Sequence, residues 1–182
     1  MSLDGYIARP NGELDWQVWP GDDEIKKYEE KLAESVDTIL LGRKMTDAFI
    51  SYWSDVKSKP HDPWYAFAKR MMETPKVVFT KTMNSSKWVN TRIARGDLTE
   101  EVNKIKNQNG KDVIVYGGAS FDSSLIKTGL IDEFHLFINP VALGNGMPIF
   151  KNLKNEQKFN LIRSIPFESG IVLHHYELKN GQ

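Results

Sequence analysis

The sequence contains no cysteine among its 182 residues. This absence excludes a disulfide framework, thiolate ligands for a metal ion and a cysteine nucleophile. No apolar run reaches the roughly 18 residues of a membrane-spanning helix, and the first residues carry Asp4 where an export signal would have a basic segment. We therefore expect a cytoplasmic protein that neither spans a membrane nor is exported.

The chain also lacks net charge, because 24 lysine and arginine residues balance 24 aspartate and glutamate residues. A neutral chain has no global field to recruit nucleic acid or an anionic membrane, and neither is an expected partner. A local basic site for a phosphate group is still compatible with this balance. The composition, 40% hydrophobic and 11% aromatic, is that of a folded protein, and the length fits one domain, residues 1–182, with a small-molecule pocket.

Apolar runs alternate with segments of helical spacing along most of the sequence. The strand predicted for residues 38–41 leads into a helix, and the strands predicted for residues 76–80 and 113–116 are each followed by a polar or glycine-containing loop. This order predicts an α/β fold in which a mostly parallel, mixed sheet of about eight strands has helices on both faces. Residues 158–165 and 171–178 predict an antiparallel C-terminal hairpin.

Three local details follow from the same patterns. Trp88 and Val89 are predicted to form a short strand, and Thr99 is predicted to cap the helix that follows it. Another helix is predicted with Asp22 or Asp23 as its N-cap. Its buried face is predicted from apolar residues three and four positions apart, which are Ile25, Tyr28, Leu32 and Val36.

Three loops after predicted strands are candidate phosphate-binding sites, because ligands of such sheets bind beyond the carboxyl ends of the strands. They offer backbone amides, cationic side chains and hydroxyl groups. A capped helix start, a polar loop and a tight turn are the respective alternative explanations. The residues are Gly42, Arg43 and Lys44 after the first strand, Thr80 and Lys81 after the second, and Gly117, Gly118, Ala119 and Ser120 after the third.

Histidines do not indicate a metal site at this level. His135, His174 and His175 alternate along predicted strands without the sequence spacing of metal ligands, and His61 lies in a predicted loop. Core or surface histidines are the better explanation, so no bound metal is expected.

Several short motifs occur in a characteristic order. They are Met-Ser-Leu-Asp-Gly-Tyr-Ile-Ala at 1–8, Leu-Gly-Arg-Lys at 41–44, Val-Tyr-Gly-Gly-Ala at 115–119 and Leu-Ile-Asp-Glu at 130–133, with the proline- and glycine-containing segment 140–150 after them. In this order they resemble the dihydrofolate-reductase-like superfamily, particularly its branch related to the C-terminal reductase domain of bifunctional riboflavin-biosynthesis proteins. The resemblance covers nearly the whole chain.

The resemblance implies a three-layer fold and an NADPH-dependent reductase, in which the cofactor supplies the hydride and the protein positions the substrate. It also implies a homodimer, for which the expected apolar contact surface is the C-terminal strand pair together with Phe134, Phe137 and residues 141–150. By their positions in the motifs, the resemblance implies that Arg43 and Lys44 lie near the adenosine 2′-phosphate, with Thr80 and Lys81 as a second contact loop. It implies a pyrophosphate turn, whose Gly-Gly peptide is often cis in relatives, at Gly117, Gly118, Ala119 and Ser120. It also implies that backbone groups of Ile7 and Ala8 contact the nicotinamide carboxamide.

Three departures from the family's pattern affect these expectations. Tyr116 stands where the riboflavin-pathway reductases have a glutamate that helps to bind substrate, so a pyrimidine substrate does not follow directly. Met45 stands where relatives often have threonine, which removes one hydroxyl contact to the cofactor. Relatives also carry most of a strand before residues 2–5, so we expect either a native start upstream of Met1 or a sheet that is one strand short.

Candidate acid–base groups are few. Dihydrofolate reductases place one carboxylate on the first helix, facing the substrate, and Asp22, Asp23 and Glu24 lie near that region. Asp4 adjoins the implied nicotinamide site. Asp4 and Asp23 are the candidate catalytic residues, although an Asp-Gly turn and helix capping explain them equally well.

Two tryptophans and one tyrosine are candidates for the substrate pocket. Trp16 and Trp19 have the flat, amphipathic rings that stack on planar ligands, and packing beneath a surface loop is the alternative. Trp16 and Tyr116 are the candidate substrate-binding residues. The sequence thus predicts an NADPH-dependent reductase of a small planar or heterocyclic substrate, resembling 5-amino-6-(5-phosphoribosylamino)uracil reductase or dihydrofolate reductase. A non-catalytic nucleotide-binding or ligand-sensing protein of the same fold is the alternative.

Overall fold

The computed structural model describes residues 1–18 and 23–179, so the predictions for Trp19 and Asp22 lie outside the described residues. Helices and strands alternate along most of the described chain, which confirms the predicted α/β class. The elements are β1 (Tyr6–Ala8), α1 (Asp23–Glu34), β2 (Val36–Gly42), α2 (Arg43–Lys57), α3 (Tyr65–Glu73), β3 (Lys76–Phe79), β4 (Thr91–Ala94), α4 (Leu98–Lys106), β5 (Asp112–Val115), α5 (Ala119–Lys127), β6 (Glu133–Ile138), β7 (Met147–Pro148), β8 (Phe159–Pro166) and β9 (Val172–Leu178).

Contacts between residues divide the chain into two compact units. One is the continuous segment Lys26–Phe121, and the other combines Met1–Ile25 with Asp122–Gln182. The organisation of residues 1–182 as a single domain stays a prediction.

The unit Lys26–Phe121 is built on a four-stranded sheet in the order β4-β3-β2-β5, and all its neighbouring strands are parallel. Ile39, Leu40, Leu41 and Val78 are fully buried in its two central strands. Such near-continuous apolar runs are typical of parallel strands that helices cover on both faces. The core around them includes Phe49 of α2 together with Phe67 and Met71 of α3.

A lysine is buried at the start of β3. The Lys76 ammonium donates hydrogen bonds to the carbonyl oxygens of Met72 at 3.0 Å and Thr74 at 2.6 Å. These carbonyls belong to the C-terminal end of α3, where a helix leaves acceptors unsatisfied and favours positive charge. Burial lowers the pKa of Lys76 to about 8. Lys76 thereby joins the end of α3 to the start of the adjacent strand.

The second unit holds an antiparallel three-stranded sheet, in the order β6-β9-β8, and the short antiparallel pair of β1 and β7. The pairing of β8 with β9 confirms the predicted C-terminal hairpin. Phe134 and Ile149 are buried together with Ile126, and Phe159 and Tyr176 pack against them.

Four predicted details are wrong. Helix α1 ends at Glu34, and Val36 begins β2. Trp88 and Val89 precede the strand rather than form it, since β4 spans Thr91–Ala94. The N-cap of α4 is Asp97, whose carboxylate accepts hydrogen bonds from the amides of Thr99 and Glu100. Phe134 is only 7% exposed, so it belongs to the core and not to a contact surface.

Within residues 1–18 and 23–179, no helix combines the length and the apolar character that crossing a membrane requires.

Candidate functional site

Three of the predicted loops meet at one edge of the parallel sheet. They follow β2, β3 and β5, which are adjacent strands, and the carboxyl ends of adjacent parallel strands lie at the same edge. The register pairs Gly42 with Phe79, so the loop that begins at Thr80 starts beside the end of β2. The amide of Gly42 donates a hydrogen bond of 2.8 Å to the carbonyl oxygen of Gly117. This bond joins the loop after β2 directly to the loop after β5.

The start of α2 offers backbone donors without a side-chain acceptor. Gly42 is its N-cap, and no side chain of the described residues caps the helix at this end. The first turn holds Arg43 and Lys44 and no acidic residue. Unsatisfied N–H groups and the positive end of the helix dipole favour an anion, and two bases beside them strengthen the preference. This donor set fits a phosphate group.

The three glycines at this edge of the sheet differ in how the surrounding structure would accommodate a side chain. At Gly42 an added Cβ would lie 2.9 Å from Cβ of Phe121, so close packing excludes a side chain. Gly117 has φ of +86°, a conformation that side-chain-bearing residues rarely adopt. Around Gly118, in contrast, the nearest described atom to an added Cβ is Met45 Cβ at 3.8 Å. Gly118 therefore leaves open space beside the start of α5, where a ligand can approach the backbone.

The Gly117–Gly118 peptide bond is cis, the state that the resemblance implied. After it, the amide of Phe121 donates to the Gly118 carbonyl at 2.8 Å, and α5 begins at Ala119. The implied pyrophosphate turn, which also includes Ser120, thus leads directly into a helix N-terminus.

Arg43 belongs to a network around one carboxylate that the sequence analysis missed. The Asp47 carboxylate forms ion pairs with Arg43 at 3.2 Å and with Lys87 at 2.9 Å, and it accepts a hydrogen bond from the indole N–H of Trp88 at 3.0 Å. The Arg43 guanidinium lies 5.6 Å from the centre of the Trp88 ring. The hydrogen bond from Lys87, followed by that from Trp88, holds the pKa of Asp47 below its ordinary value. Asp47 thereby orients two cations and a flat aromatic ring beside the start of α2.

The loop after β3 contributes differently from its prediction. Thr80 is buried, and its hydroxyl oxygen accepts a hydrogen bond from the Thr82 amide at 3.2 Å. This contact closes the turn, so the Thr80 side chain shapes the loop. Lys44 and Lys81 are exposed.

A half-buried carboxyl group lies on α1. Burial raises the pKa of Glu29 to about 7. The pKa of Tyr116 is raised above its ordinary value, first by burial and then by the charge of Glu29. Tyr116 packs against Phe49 with ring centres 5.4 Å apart, and it directly precedes the glycine turn. A carboxyl group that titrates near neutral pH is suited to donating and accepting protons.

Glu29 was not identified in the sequence. Its spacing of four residues from the buried Ile25 and Ala33 places it on the inner face of α1, and that spacing is the signal available in the sequence. Asp23, the first residue of α1, is exposed. Its role in catalysis stays a prediction.

A second half-buried carboxyl group is Asp122, in the first turn of α5. Burial raises its pKa to about 7, and Oδ1 has no hydrogen-bond partner among the described residues. A buried acceptor without a partner is uncommon in folded proteins and indicates a functional or ligand-linked role. Asp122 is therefore an alternative proton donor.

Asp4 has the opposite environment. Its carboxylate accepts hydrogen bonds from the hydroxyl of Ser2 at 2.6 Å and from the amide of Gly144 at 2.7 Å, and the Leu143 amide also donates to it. The bond from Ser2, followed by that from Leu143, lowers the pKa of Asp4 to about 2. An ionised group held in this way positions residues 143–144 and has no proton to donate at neutral pH. The catalytic role predicted for Asp4 is not favoured.

The remaining candidates lie in the unit that contains the N-terminus. Ala8 is buried in β1, and Ile7 packs against the core of that unit. Position 146, beside Ala8, has no room for a side chain, because a Cβ added to Gly146 would lie 2.5 Å from the Ala8 carbonyl oxygen. Trp16 is buried, and its indole N–H has no hydrogen-bond partner among the described residues. Such a donor fits a ligand acceptor, and the roles of Ile7, Ala8 and Trp16 stay predictions.

The model of a protein family described as the RibD C-terminal domain matches residues 1–173. Two proteins of Bacillus subtilis (strain 168) are similar along nearly their whole length. The chain is 37% identical to the uncharacterized protein YyaP over 94% of this chain and 88% of that protein. It is 28% identical to the uncharacterized protein YwjB over 96% and 92%, respectively.

Solved structures confirm the fold implied by the resemblance. A putative riboflavin biosynthesis protein from Shewanella sp. PV-4 superposes with a TM-score of 0.77 at 24% identity, over 99% of this chain and 96% of that chain. A diaminohydroxyphosphoribosylaminopyrimidine deaminase/5-amino-6-(5-phosphoribosylamino)uracil reductase from Thermotoga maritima superposes with a TM-score of 0.66 at 16% identity, over 98% of this chain and 54% of that chain.

A side chain would strain the backbone at Gly117 but would fit beside the chain at Gly118, and this difference allows a test of the glycine turn. We expect Gly118→Ala to weaken NADPH binding by at least about tenfold with little change in the thermal midpoint, because its Cβ enters space that the chain itself leaves open. Gly117→Ala is the matched control and should lower the thermal midpoint, because φ of +86° strains a side-chain-bearing residue. Calorimetric titration and thermal melting measure both effects. Unchanged NADPH affinity in a folded Gly118→Ala protein would contradict the pyrophosphate assignment.

Proposed function

This chain belongs to the RibD C-terminal domain family, and from that premise we propose that it is an NADPH-dependent reductase of a small planar or heterocyclic substrate. The observation that carries the proposal is the hydrogen bond from Gly42 to Gly117, which joins an uncapped, basic helix start to the glycine turn. Two adjacent elements that can each bind a phosphate group suit a dinucleotide, because one dinucleotide molecule carries several phosphate groups. When bound, NADPH supplies the hydride.

We assign the groups of the cofactor to the residues at this edge by their chemistry. The amides of Gly118 and Ala119 would hold the pyrophosphate, and Arg43 would pair with the 2′-phosphate in the bidentate manner that guanidinium groups allow. Lys87 and Trp88 flank Arg43 and extend the basic and aromatic surface available to the adenosine end.

Glu29 is the proposed proton donor. Reduction of an imine or a carbonyl group adds a hydride to carbon and a proton to nitrogen or oxygen, so the site needs a group that is protonated near neutral pH. Glu29 meets this need because burial keeps its carboxyl group partly protonated at pH 7. Tyr116 is the proposed substrate contact.

The presence of tyrosine at position 116 limits the class of substrate that we propose. In the Thermotoga maritima structure the activity named is that of a 5-amino-6-(5-phosphoribosylamino)uracil reductase, and riboflavin-pathway reductases have a glutamate at the position of Tyr116. A half-buried aromatic ring next to Phe49 favours a planar ring over a charged sugar phosphate at this point. We therefore propose a heterocyclic substrate other than that pyrimidine.

The proposal is tested by NADPH oxidation with dihydrofolate, the riboflavin-pathway pyrimidine and a panel of small heterocyclic and carbonyl compounds. Turnover of any of them supports a reductase. Tight NADPH binding without turnover of the panel favours the second candidate, a nucleotide-binding or ligand-sensing protein, for which Tyr116 and Met45 are the supporting departures. The cytoplasm stays the predicted compartment.

Cofactor preference gives a prediction for Arg43. NADPH should bind more tightly than NADH, and Arg43→Gln should weaken NADPH by about ten- to a hundredfold while leaving NADH affinity unchanged, because only NADPH carries the 2′-phosphate. Arg92→Gln, which removes an exposed arginine from β4, is the matched control. Equal calorimetric affinity of the native protein for both cofactors would rule out the 2′-phosphate assignment.

Glu29 gives a prediction for pH. Because its pKa is raised to about 7, kcat/KM should be constant below pH 7 and fall with rising pH above it. Glu29→Gln should lower the rate by about a hundredfold or more and remove this pH dependence. Glu30→Gln is the control on the same helix, and Asp122→Asn tests the alternative donor. If Asp122→Asn alone abolishes the pH dependence, the proton donor is Asp122 and not Glu29.

The raised pKa of Glu29 also predicts that the free energy of unfolding changes with pH, which can be measured without an activity assay. A carboxyl group with a raised folded-state pKa stabilises the fold below its unfolded pKa, and this contribution is lost as pH rises through about 7. Glu29→Gln should therefore be more stable than the native protein at pH 8, by about 1–3 kcal/mol, and equally stable at pH 4, below the ordinary pKa of 4.5. Denaturant titrations at the two pH values measure the difference.

We also propose that the chain forms a homodimer. Among the described strands, β8 is an edge strand, and it exposes Leu161 and Ile162. Exposed apolar edge strands favour pairing with a second chain. Sedimentation at micromolar concentration should give twice the mass of one chain, and Leu161→Lys should shift the protein towards the single-chain mass. A single-chain mass for the native protein would contradict the proposal.

A further inference from the structure

Two short motifs face each other across β6 and β9. Strand β6 carries Glu133 and His135, and β9 carries His175 and Glu177. The antiparallel register pairs Glu133 with Glu177 and His135 with His175. Alternate residues of a strand lie on the same face of a sheet, so these four side chains share one face of the strand pair.

Three of the side chains converge. Nε2 of His175 lies 2.9 Å from Oε2 of Glu133, and Nε2 of His135 lies 3.6 Å from the same oxygen. All three ligand atoms lie within 4.8 Å of one another. Two imidazole nitrogens and one carboxylate oxygen are a ligand set that proteins use for zinc and other divalent transition metals.

The environment keeps these groups available as ligands. The side chains of His135 and His175 are 18% and 16% exposed, whereas that of Glu133 is 53% exposed. The two imidazole rings stack at 4.3 Å, so their nitrogen atoms lie close together. A neutral imidazole has the free nitrogen lone pair that a metal ion needs.

We propose that Glu133, His135 and His175 form a binding site for a divalent transition metal ion of the zinc class. A tetrahedral ion with bonds of about 2.1 Å places its ligand atoms about 3.4 Å apart, close to the two observed separations. The ion replaces the proton shared by His175 and Glu133, and that proton leaves to solvent. Because the rings are stacked with an angle of 18° between their planes, one ring rotates about χ2 so that both Nε2 atoms point to the ion.

The neighbouring charges set the expected strength of the site. Glu177 lies opposite Glu133 in the register and is exposed, so its carboxylate, or water, is available for the remaining coordination position. Arg163 pairs with His175 on the other side, and its positive charge opposes that of a cation. We therefore expect moderate affinity and a structural role, in which the ion links β6 to β9.

The sequence did not indicate this site because its ligands lie 40 residues apart along the chain, at positions 135 and 175, and only strand register brings them together. Metal motifs that are recognisable in a sequence have ligands on one helix or one tight loop.

The probe is Zn²⁺ added to the full chain without a histidine tag. We expect calorimetry to give one equivalent bound and the thermal midpoint to rise by about 5–10 °C at a hundredfold excess over Kd. His175→Asn and Glu133→Gln should each weaken Zn²⁺ binding by at least about tenfold and abolish the rise. Glu133→Gln changes an exposed residue, so the test does not depend on a variant that fails to fold.

The controls are His174→Asn, on the opposite face of β9, and His61→Asn, in an exposed loop. Both should bind Zn²⁺ like the native protein. Absence of stoichiometric binding to the native protein would overturn the site. So would binding that persists unchanged in His175→Asn and Glu133→Gln, or that is lost to the same extent in both controls. NADPH binding serves as an independent readout, and the two proposals therefore fail separately.

Discussion

The hydrogen bond from Gly42 to Gly117 is the contact on which the candidate cofactor site depends. It requires β2 and β5 to end side by side, as their parallel register allows. It also requires the last residue of β2 to lack a side chain, because an added Cβ at Gly42 would lie 2.9 Å from Cβ of Phe121. Once these two loops are joined, the starts of α2 and α5 lie at the same edge. The N-terminal ends of two helices are then available to one ligand.

The charges near this edge are arranged by one carboxylate. Asp47 orients Arg43, Lys87 and the Trp88 indole, so the basic residues are positioned before any ligand arrives. Positioning of this kind reduces the entropy lost when a flexible side chain is fixed during binding. The ion pairs themselves are exposed and add little to the stability of the fold. Their contribution is to the geometry of the site.

Much of the fold and of the phosphate-binding edge is predictable from the sequence, because these features depend on local patterns. Apolar runs predict β2, β3 and β5, and the glycines and bases that follow them are contiguous motifs. Predictions failed where distant side chains decide the outcome. Trp88 has the aromatic character of a strand residue, but its N–H bonds to Asp47, and the strand begins three residues later. Thr99 is the predicted helix cap, whereas the cap in the structure is Asp97, whose carboxylate accepts two backbone hydrogen bonds.

Two positions of α1 illustrate why the proposed acid–base group was not recognised. A glutamate in a helix is usually exposed, and the burial that raises the pKa of Glu29 depends on tertiary packing, which the sequence does not show. Asp23, at the start of the same helix, is exposed and has the ordinary position of an acidic residue there.

Asp4 and Glu29 together show how one type of functional group takes two roles in this protein. Three donors stabilise the Asp4 carboxylate, so its pKa falls to about 2 and the charge positions a loop. Glu29 lies where burial disfavours the charge, so its pKa rises to about 7. Keeping such a group costs stability whenever it is ionised, and an apolar or amide side chain of similar size would avoid that cost. Sites that retain a buried titratable group at this cost are usually functional sites. Opposite shifts in two carboxyl groups therefore distinguish the acid that holds a loop from the proposed proton donor, as they do where one carboxyl group of a pair must stay ionised while the other transfers a proton.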